Sequence, residues 1–360
     1  MISISLCMIV KNEADTLPRA LESVKGVADE IIIVDTGSED RTVEAARNYT
    51  PHIYQFEWID DFSAARNYSF AKATKDYCMW LDADDVLLPA DRDALIALKN
   101  SLDPSVDIVM MRYHAAFDSS GSPTFSYYRE RLIKNNRTYV WHGAVHEAIT
   151  PAGSVFYSDI AVTHQKTKPG DPDRNLRIYT QLLERGESLD ARERFYYAQE
   201  LYYHQRYRES ISVLAAFLDA DDGWIENKLE ACRTISFCYR ALGDKKSALQ
   251  ALLRSLEFDI PRAELCCPIG AAFLEDGKYG QAAFWYQQAL ACERNDRSGA
   301  FVQPDCYGYL PYIQLCVCYY HLGDLPRAAA YNELAGKLRP EDPSYLYNKA
   351  LFSSLKTAEV

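Results

Sequence analysis

The fold is decided by the stretch Cys78-Met79-Trp80-Leu81-Asp82-Ala83-Asp84-Asp85-Val86-Leu87. Four apolar residues are followed directly by a segment with three acidic side chains, Asp82, Asp84 and Asp85, and then by two more apolar residues. A buried strand ending near Leu81 would place the acids at its carboxyl end, where ligands bind in open α/β sheets. Three carboxylates this close repel one another unless a divalent cation or basic side chains lie among them. The alternative interpretation is a helix N-cap with solvated acids in a turn.

The composition is that of a soluble globular protein long enough for two domains. The chain has 360 residues, of which 48% are hydrophobic and 25% are charged. Its formal net charge of −12 argues against a nucleic-acid-binding surface, which would be basic. We therefore expect no nucleic-acid partner, although a metal or a few basic residues could still hold a nucleotide.

Cysteine spacing and apolar runs favour a cytoplasmic protein. The 10 cysteines have no zinc-ribbon or regular disulfide spacing, and most lie in apolar, helix-like contexts, which indicates reduced thiols. The apolar start Ile2–Val10 lacks a basic leader region, so we interpret it as a first strand rather than a signal peptide. No run approaches the roughly 18 apolar residues of a transmembrane helix.

Strands and helices alternate through the first part of the chain. The predicted strands are short and apolar, and helical patterns separate them: Ile4–Val10, Glu30–Val34, His52–Trp58 and Tyr77–Leu81. The helix before the fourth strand would be capped by Ser63. This alternation predicts a mainly parallel sheet in a three-layer α/β domain.

Polar residues follow three of these strands. Lys11-Asn12-Glu13 comes after the first, Asp35 ends the second, and Asp82–Asp85 follow the fourth. Because carboxyl ends of parallel strands share one edge, these residues can line one cleft. Asp35 there either accepts hydrogen bonds from a base or ribose, or simply forms a turn. Arg66, on the third helix, is either a diphosphate ligand or an ordinary surface arginine.

Three motifs together resemble family 2 glycosyltransferases of the GT-A fold. They are CMIVKNE at 7–13, IVDTGSEDRT at 33–42 and WLDADD at 80–85, in the family's order and at its separations. The resemblance implies a Rossmann-like nucleotide-sugar domain, a nucleotide-sugar donor that is most often a UDP-sugar, and inversion at the anomeric carbon. It also implies Mn²⁺ or Mg²⁺ held by a DxD motif.

The resemblance assigns roles to individual residues. Asp82 and Asp84 would form the DxD motif, with Asp84 as the direct metal ligand. His164, which ends an apolar strand, would be a further metal or diphosphate ligand, although it could also be merely structural. The residues expected to bind the nucleotide-sugar are Lys11, Asn12, Glu13, Asp35, Arg66, Asp82 and Ala83.

The stretch Tyr139–Glu147 supplies the expected acceptor side. GT-A enzymes usually carry a Gly-bearing loop here, followed by an acid that serves as base, often the second of a Glu-Asp pair. The corresponding pair is His146-Glu147, so Glu147 is the predicted base. Its alternative role is a structural acid paired with Arg129 or Arg131. The residues expected on the acceptor side are Asp85, Trp141, Gly143 and His146. Trp141 would stack on a sugar ring or else lie buried.

The second half of the chain resembles a tetratricopeptide-repeat array. Gly243 with Ala248 recurs as Gly277 with Ala282, and the 34-residue step is that of these repeats. A later copy contains Gly323, an earlier one has Gln205 where glycine would stand, and an insertion lies around 294–307. An irregular helical bundle is the alternative. We predict domains at 1–170 and 191–360, joined by a linker helix at 171–190.

These features predict a metal-dependent inverting glycosyltransferase. Stacked repeats form a concave surface for peptides or partner subunits, so the acceptor could be a peptide or protein, and a homodimer could form through the repeats. The layout resembles that of sublancin-type peptide S-glycosyltransferases. The alternatives are a transferase for cell-surface polysaccharide or lipid-linked glycans, and a non-catalytic repeat scaffold. The sugar remains open.

Overall fold

The chain forms two compact units, Met1–Leu189 and Asp190–Val360. The computed structural model describes residues 1–117, 121, 123–168, 170–300 and 302–358. The first unit is built on a sheet with helices, and the second unit is helical.

The first unit contains an eight-stranded sheet in the order β3-β2-β1-β4-β7-β6-β8-β5. Its strands are β1 Ile4–Val10, β2 Glu30–Asp35, β3 Ile53–Gln55, β4 Tyr77–Trp80, β5 Asp85–Val86, β6 Ile108–Phe117, β7 Pro123–Lys134 and β8 Val155–His164. Strands β1 to β4 pair in parallel, as the alternation predicts. The pairs β4–β7, β6–β7 and β5–β8 are antiparallel, so the sheet as a whole is mixed.

Both faces of the central strands are covered. On one face, Leu6 and Met8 of β1 belong to a large apolar cluster with Leu17 of the first helix. On the other face, Cys7 belongs to a second cluster with Trp80. Residues of β1 are therefore buried nearly throughout, which explains why this strand is an unbroken apolar run rather than an alternating one.

The helices of the first unit are α1 Leu17–Ser23, α2 Thr42–Arg47, α3 Phe62–Lys72, α4 Pro89–Ser101 and α5 Arg174–Glu184. Asp61, not the predicted Ser63, caps α3. Its carboxylate accepts a hydrogen bond from the backbone N–H of Ala64 at 2.9 Å, which satisfies a first-turn donor. The sequence offers both side chains, but only Asp61 has the extended backbone that a cap requires. This cap fixes the start of the helix that carries Arg66.

The helix expected as a linker, α5, belongs to the first unit. Its residues Ile178, Tyr179 and Leu182 are buried, and the Tyr179 hydroxyl donates a hydrogen bond to the carbonyl of Val145 at 3.3 Å. It therefore packs against the loop that carries Glu147, one of the predicted site residues.

The second unit consists of consecutive helices that pack in pairs. They are α6 Ala191–Tyr203, α7 Tyr207–Asp219, α8 Ile225–Ala241, α9 Lys245–Arg254, α10 Ala263–Glu275, α11 Tyr279–Ala291, α12 Tyr309–His321, α13 Leu325–Leu338 and α14 Pro343–Ala358. None of the described helices is both long and apolar enough to cross a membrane.

The predicted repeat positions coincide with the turns inside these pairs. Gly243, Gly277 and Gly323 have φ of +82°, +70° and +81°, the left-handed conformation that favours glycine. Gln205 takes the same conformation, φ +59°, in the first pair. At Gly270 a side chain would approach the ring of Tyr286 to 3.1 Å, so close helix packing explains this small residue. The repeat architecture is therefore confirmed.

Candidate active site

A tight turn after β4 positions the acidic stretch. The backbone N–H of Asp85 donates to the carbonyl of Asp82 at 3.0 Å, so the chain reverses within the motif. Strand β5 then pairs antiparallel with β8, and Asp85 stands opposite His164. This pairing brings together acids and a histidine that are far apart in the sequence.

Asp84, Asp85 and His164 form a cluster with the donor atoms of a metal site. One atom of each side chain lies within 4.8 Å of the other two. The His164 Nδ1 atom is 3.2 Å from Asp85 Oδ1 and 3.6 Å from Asp84 Oδ1. Two carboxylates and an imidazole are a donor set that suits Mn²⁺, so these residues fit a divalent ion.

The charges in this cluster shift the pKa values of its members. The hydrogen bond to Asp85, followed by the charges of Asp84 and Asp85, raises the pKa of His164 above its ordinary value against the effect of burial. Burial, followed by the neighbouring charges of Asp82 and Asp85, raises the pKa of Asp84. A divalent cation would relieve this repulsion among carboxylates.

Asp85 lies inside the protein and not on the acceptor side, where it was expected. Its side chain is fully buried and accepts hydrogen bonds from Arg131 Nη2 at 3.2 Å and from the Tyr113 hydroxyl at 3.0 Å. The reason is its place in β5, because pairing with β8 turns it towards the sheet interior and towards His164. Its geometry therefore groups it with the candidate metal ligands.

Arg66 joins two predicted site acids. Its Nε donates to Glu147 Oε1 at 2.6 Å, and its Nη2 donates to Asp82 Oδ1 at 2.8 Å. Arg66 is 6% exposed, and its guanidinium lies over the rings of Trp80 and Trp141. Its buried Nη1 atom has no hydrogen-bond partner among the described residues. Arg66 is thus a buried cation between two acids, not an ordinary surface arginine.

Arg66 and its neighbours also set the charge of Asp82. Burial alone would raise the pKa of Asp82, but the charge of Arg66 and its hydrogen bond lower it overall, with Arg131 and Arg129 contributing. Asp82 therefore stays ionised, and it lies beside Arg66 rather than in the cluster formed by Asp84 and His164.

Glu147 is held in a closed loop. Backbone hydrogen bonds between His142 and Ala148, at 3.0 and 3.1 Å, close the loop, and Gly143 and His146 inside it have φ of +94° and +53°. The carboxylate of Glu147 pairs with Arg66. Arg129, one of the two arginines considered as its partners, reaches only the backbone carbonyl of Glu147, at 3.4 Å.

Trp141 is buried, which is the alternative that the sequence left open. It is 2% exposed and packs edge-on against Trp80 and Phe70, with ring centroids 5.1 and 5.7 Å apart. A ring in this position cannot stack on a bound sugar. The buried alternative therefore holds for Trp141, whose ring packs against the guanidinium of Arg66.

Asp35 and the loop after β1 form a second group at the strand ends. Asp35 is 2% exposed, and its carboxylate accepts hydrogen bonds from the N–H groups of Gly37 at 3.3 Å and Ser38 at 3.2 Å. Asp35 therefore shapes its own turn, which leaves a nucleotide contact as a prediction.

The loop after β1 is tied to the turn after β2. Asn12 accepts a hydrogen bond from the N–H of Glu39 at 2.8 Å, and the N–H of Glu13 donates to Thr42 at 2.7 Å. Lys11 is exposed, whereas Ala83, on the acidic stretch, is buried. The predicted nucleotide-binding residues thus lie on two linked loops, on the acidic stretch and, for Arg66, on α3.

The sequence did not single out Arg131 and Tyr113 as site residues. Arg131 is 1% exposed, bonds to Asp85 and to the carbonyl of Trp80 at 3.1 Å, and stacks on the Trp80 ring. Arg129 and Arg131 stand two positions apart in β7, and both guanidiniums lie over the Trp80 ring, 4.9 and 3.8 Å from its centroid. That pair of arginines, in a chain whose acidic motif needs cations, was the available signal.

Residues 5–154 match the family model Glycosyl transferase family 2. The first unit therefore contains a family 2 glycosyltransferase domain with a GT-A-like sheet, and a tetratricopeptide-like helical unit follows it.

Relatives share parts of this layout. The chain is 48% identical over 103 residues to a TPR repeat-containing protein of Synechococcus elongatus, covering 29% of this chain and 25% of that protein. It is 27% identical over 225 residues to the glycosyltransferase SunS of Bacillus subtilis, and the match covers 59% of this chain and 52% of SunS. The chain thus spans between a quarter and about half of these relatives. Among solved structures, MamA covers 47% of this chain and 88% of its own, at 17% identity and a TM-score of 0.38.

Proposed function

We propose that this protein is a metal-dependent, inverting glycosyltransferase. It moves a sugar from a nucleotide-sugar, with a UDP-sugar as the expected donor, to a peptide or protein side chain. The observation that carries the proposal is the pair of ion pairs from Arg66 to Asp82 and Glu147. One guanidinium there connects an acid of the donor side with the acid expected to act as base.

On the donor side, Asp84, Asp85 and His164 would hold Mn²⁺ or Mg²⁺. The ion, when bound, supplies charge stabilisation for the departing diphosphate. Arg66 adds a positive charge close by, and its unpartnered Nη1 can donate to an anionic oxygen. Asp35 and the adjoining loops would hold the nucleoside.

On the acceptor side, Glu147 would take the proton of the attacking hydroxyl or thiol. The bond from the acceptor atom to the anomeric carbon forms as the bond from that carbon to the diphosphate oxygen breaks, so the configuration inverts. The leaving group keeps the electron pair, and the proton passes to Glu147. Competition by the diphosphate for Arg66 would loosen its ion pair with Glu147 and make that carboxylate a better base.

The helical unit supports a polypeptide acceptor. Arrays of this kind present extended surfaces to peptides. Here such an array follows a transferase domain in the same chain. The same surface would serve equally for a second copy of the chain.

The experiment is a donor screen without added acceptor. The purified chain is incubated with UDP-, GDP-, TDP- and CMP-sugars, with Mn²⁺ or with EDTA, and nucleotide release is measured. We expect slow release from one donor class, most simply UDP-sugars, only with the metal. Absence of release and of binding for every nucleotide-sugar would contradict the proposal and favour a repeat scaffold.

A further inference from the structure

An insertion in the helical array creates a pocket that repeat stacking alone would not form. Between α11 and α12 the chain folds back towards the starts of α8 and α10. There Glu264 accepts hydrogen bonds from the N–H of Gln303 at 3.0 Å and from the Tyr307 hydroxyl at 2.9 Å. Gly299, with φ +82°, approaches the Trp224 ring so closely that a side chain would lie 2.8 Å from it. The insertion is therefore anchored at both ends of the pocket rim.

Asn227 lines this pocket, and its side chain stands apart from the hydrogen bonds that tie the described part of the insertion to Glu264. It is 7% exposed and lies in the first turn of α8. No described residue hydrogen-bonds its side-chain amide. Its amide oxygen and nitrogen are not fully buried, so they are open to a ligand in the pocket that the residue lines. An amide that both donates and accepts is suited to a peptide backbone, which offers the complementary pair of groups.

The pocket is also short of positive charge. Arg233 is fully engaged by Glu230 at 2.7 Å, and Arg262 is engaged by Asp259 at 2.5 Å and by Glu226 at 3.3 Å. Glu264 has only neutral hydrogen-bond donors among the described residues. Three carboxylates of the lining thus face two guanidiniums: Glu226, Glu230 and Glu264 against Arg233 and Arg262.

An anionic ligand would find no open cation among the described residues that line this pocket. Both guanidiniums already hold carboxylates, and Glu226 and Glu264 occupy the first turns of α8 and α10, where helix N-termini attract negative charge. A cationic group would instead reduce repulsion among the acids. The ring of Trp224, which is 44% exposed at the rim, adds a face that favours a cation.

We propose that this pocket binds a lysine or arginine side chain of a polypeptide, while Asn227 hydrogen-bonds the backbone of that polypeptide. The free interior of about 70 Å³ admits the end of one long side chain and not a sugar ring. Such binding concerns the second unit alone and would persist in a variant unable to transfer sugar.

The test uses the full chain and three synthetic peptides of equal length with the same neutral fluorophore. These are four repeats of Gly-Ser-Lys, of Gly-Ser-Glu and of Gly-Ser-Gln. Binding is followed by fluorescence anisotropy at physiological salt, so that non-specific attraction to an acidic protein is screened. We expect the lysine peptide to bind and the other two to bind at least about tenfold more weakly.

Variants then assign this binding to the pocket. Glu264→Gln and Asn227→Leu should each weaken it by about tenfold. The control Glu257→Gln removes an exposed carboxylate of the same unit and should change it by less than about twofold. If a buried variant fails to fold, Trp224→Leu, at the exposed rim, tests the same pocket and should also weaken binding of the lysine peptide. Equal binding of the three peptides, no binding, or equal losses in Glu257→Gln would overturn the proposal.

Discussion

Arg66 and Glu147 form a short ion pair, Nε to Oε1 at 2.6 Å, in which the arginine is 6% exposed and the glutamate side chain 12%. The same arginine bonds Asp82 at 2.8 Å. The helix that Asp61 caps, the acidic stretch after β4 and the loop closed at His142 therefore meet at one guanidinium.

Removing this cation should destabilise the first unit. Arg66→Met keeps much of the side-chain volume but leaves a mostly buried carboxylate uncompensated, so we expect a loss of about 3 kcal/mol in the free energy of unfolding. Urea denaturation measures it. The control Arg92→Met breaks an exposed pair with Asp93 and should cost less than about 1 kcal/mol. Equal losses in the free energy of unfolding in the two variants would mean that the ion pairs of Arg66 stabilise the fold no more than an exposed ion pair does.

Replacing the candidate base should slow sugar transfer without preventing donor binding. Glu147→Gln keeps the shape of the side chain and can still accept from Arg66, but it cannot take a proton. We expect a fall in kcat of about 10²- to 10⁴-fold with KM for the donor nearly unchanged. Steady-state kinetics with the preferred donor checks this. Glu22→Gln, at an exposed site of the same unit, is the control. An undiminished kcat would assign the base elsewhere.

The pH dependence of stability should reveal the buried acid of the helical unit. Burial, followed by the charges of Asp259 and Glu264, raises the pKa of Glu226 above its ordinary 4.5 despite Arg262. The folded protein then binds this proton more tightly than the unfolded chain, so folding loses stability as pH rises above 4.5 through the raised pKa. Relative to wild type, Glu226→Gln should gain stability between pH 5 and pH 8 in urea titrations. A difference independent of pH would refute this.

A glycine in place of Gln205 should make the second unit more stable. Gln205 has φ +59°, where the corresponding turns have glycine. Gln205→Gly relieves the left-handed strain and should raise the free energy of unfolding by about 0.5–1 kcal/mol, whereas Gly243→Ala should lower it by about 1 kcal/mol. Thermal denaturation of both variants checks the pair. Destabilisation by Gln205→Gly would show that the side chain, and not the backbone, holds this turn.

The sequence predicted much of the fold because its signals are local. Apolar runs of strand length, each followed by a helical pattern, located β1, β2 and β4, and the repeating glycines located the helix pairs. It could not predict how the second half of the sheet pairs, since β5 has only two residues and is defined by pairing with β8. That pairing depends on contacts between distant residues, which leave no periodic pattern.

The same limit applies to the site. Asp84 and His164, grouped beforehand by a family resemblance, do lie together in the structure. Asp85 stands with them and Asp82 does not, because the turn after β4 sends neighbouring acids in different directions. The sequence suggested Arg129 or Arg131 as the partner of Glu147, but the partner is Arg66. It could not be predicted because Arg66 reaches Glu147 only through the packing of α3 on the sheet.

Metal-dependent cleavage of a nucleotide-sugar is the central claim, and the initial rate of nucleotide release in Asp84→Asn tests it most directly. With the preferred donor and Mn²⁺, we predict a rate at least about 100-fold below wild type, since the ion would lose a ligand and with it the stabilisation of the departing charge. The control Asp93→Asn, at an exposed acid of the same unit, should retain the wild-type rate. A rate in Asp84→Asn equal to that of wild type, or a wild-type rate unaffected by EDTA, would contradict the claim.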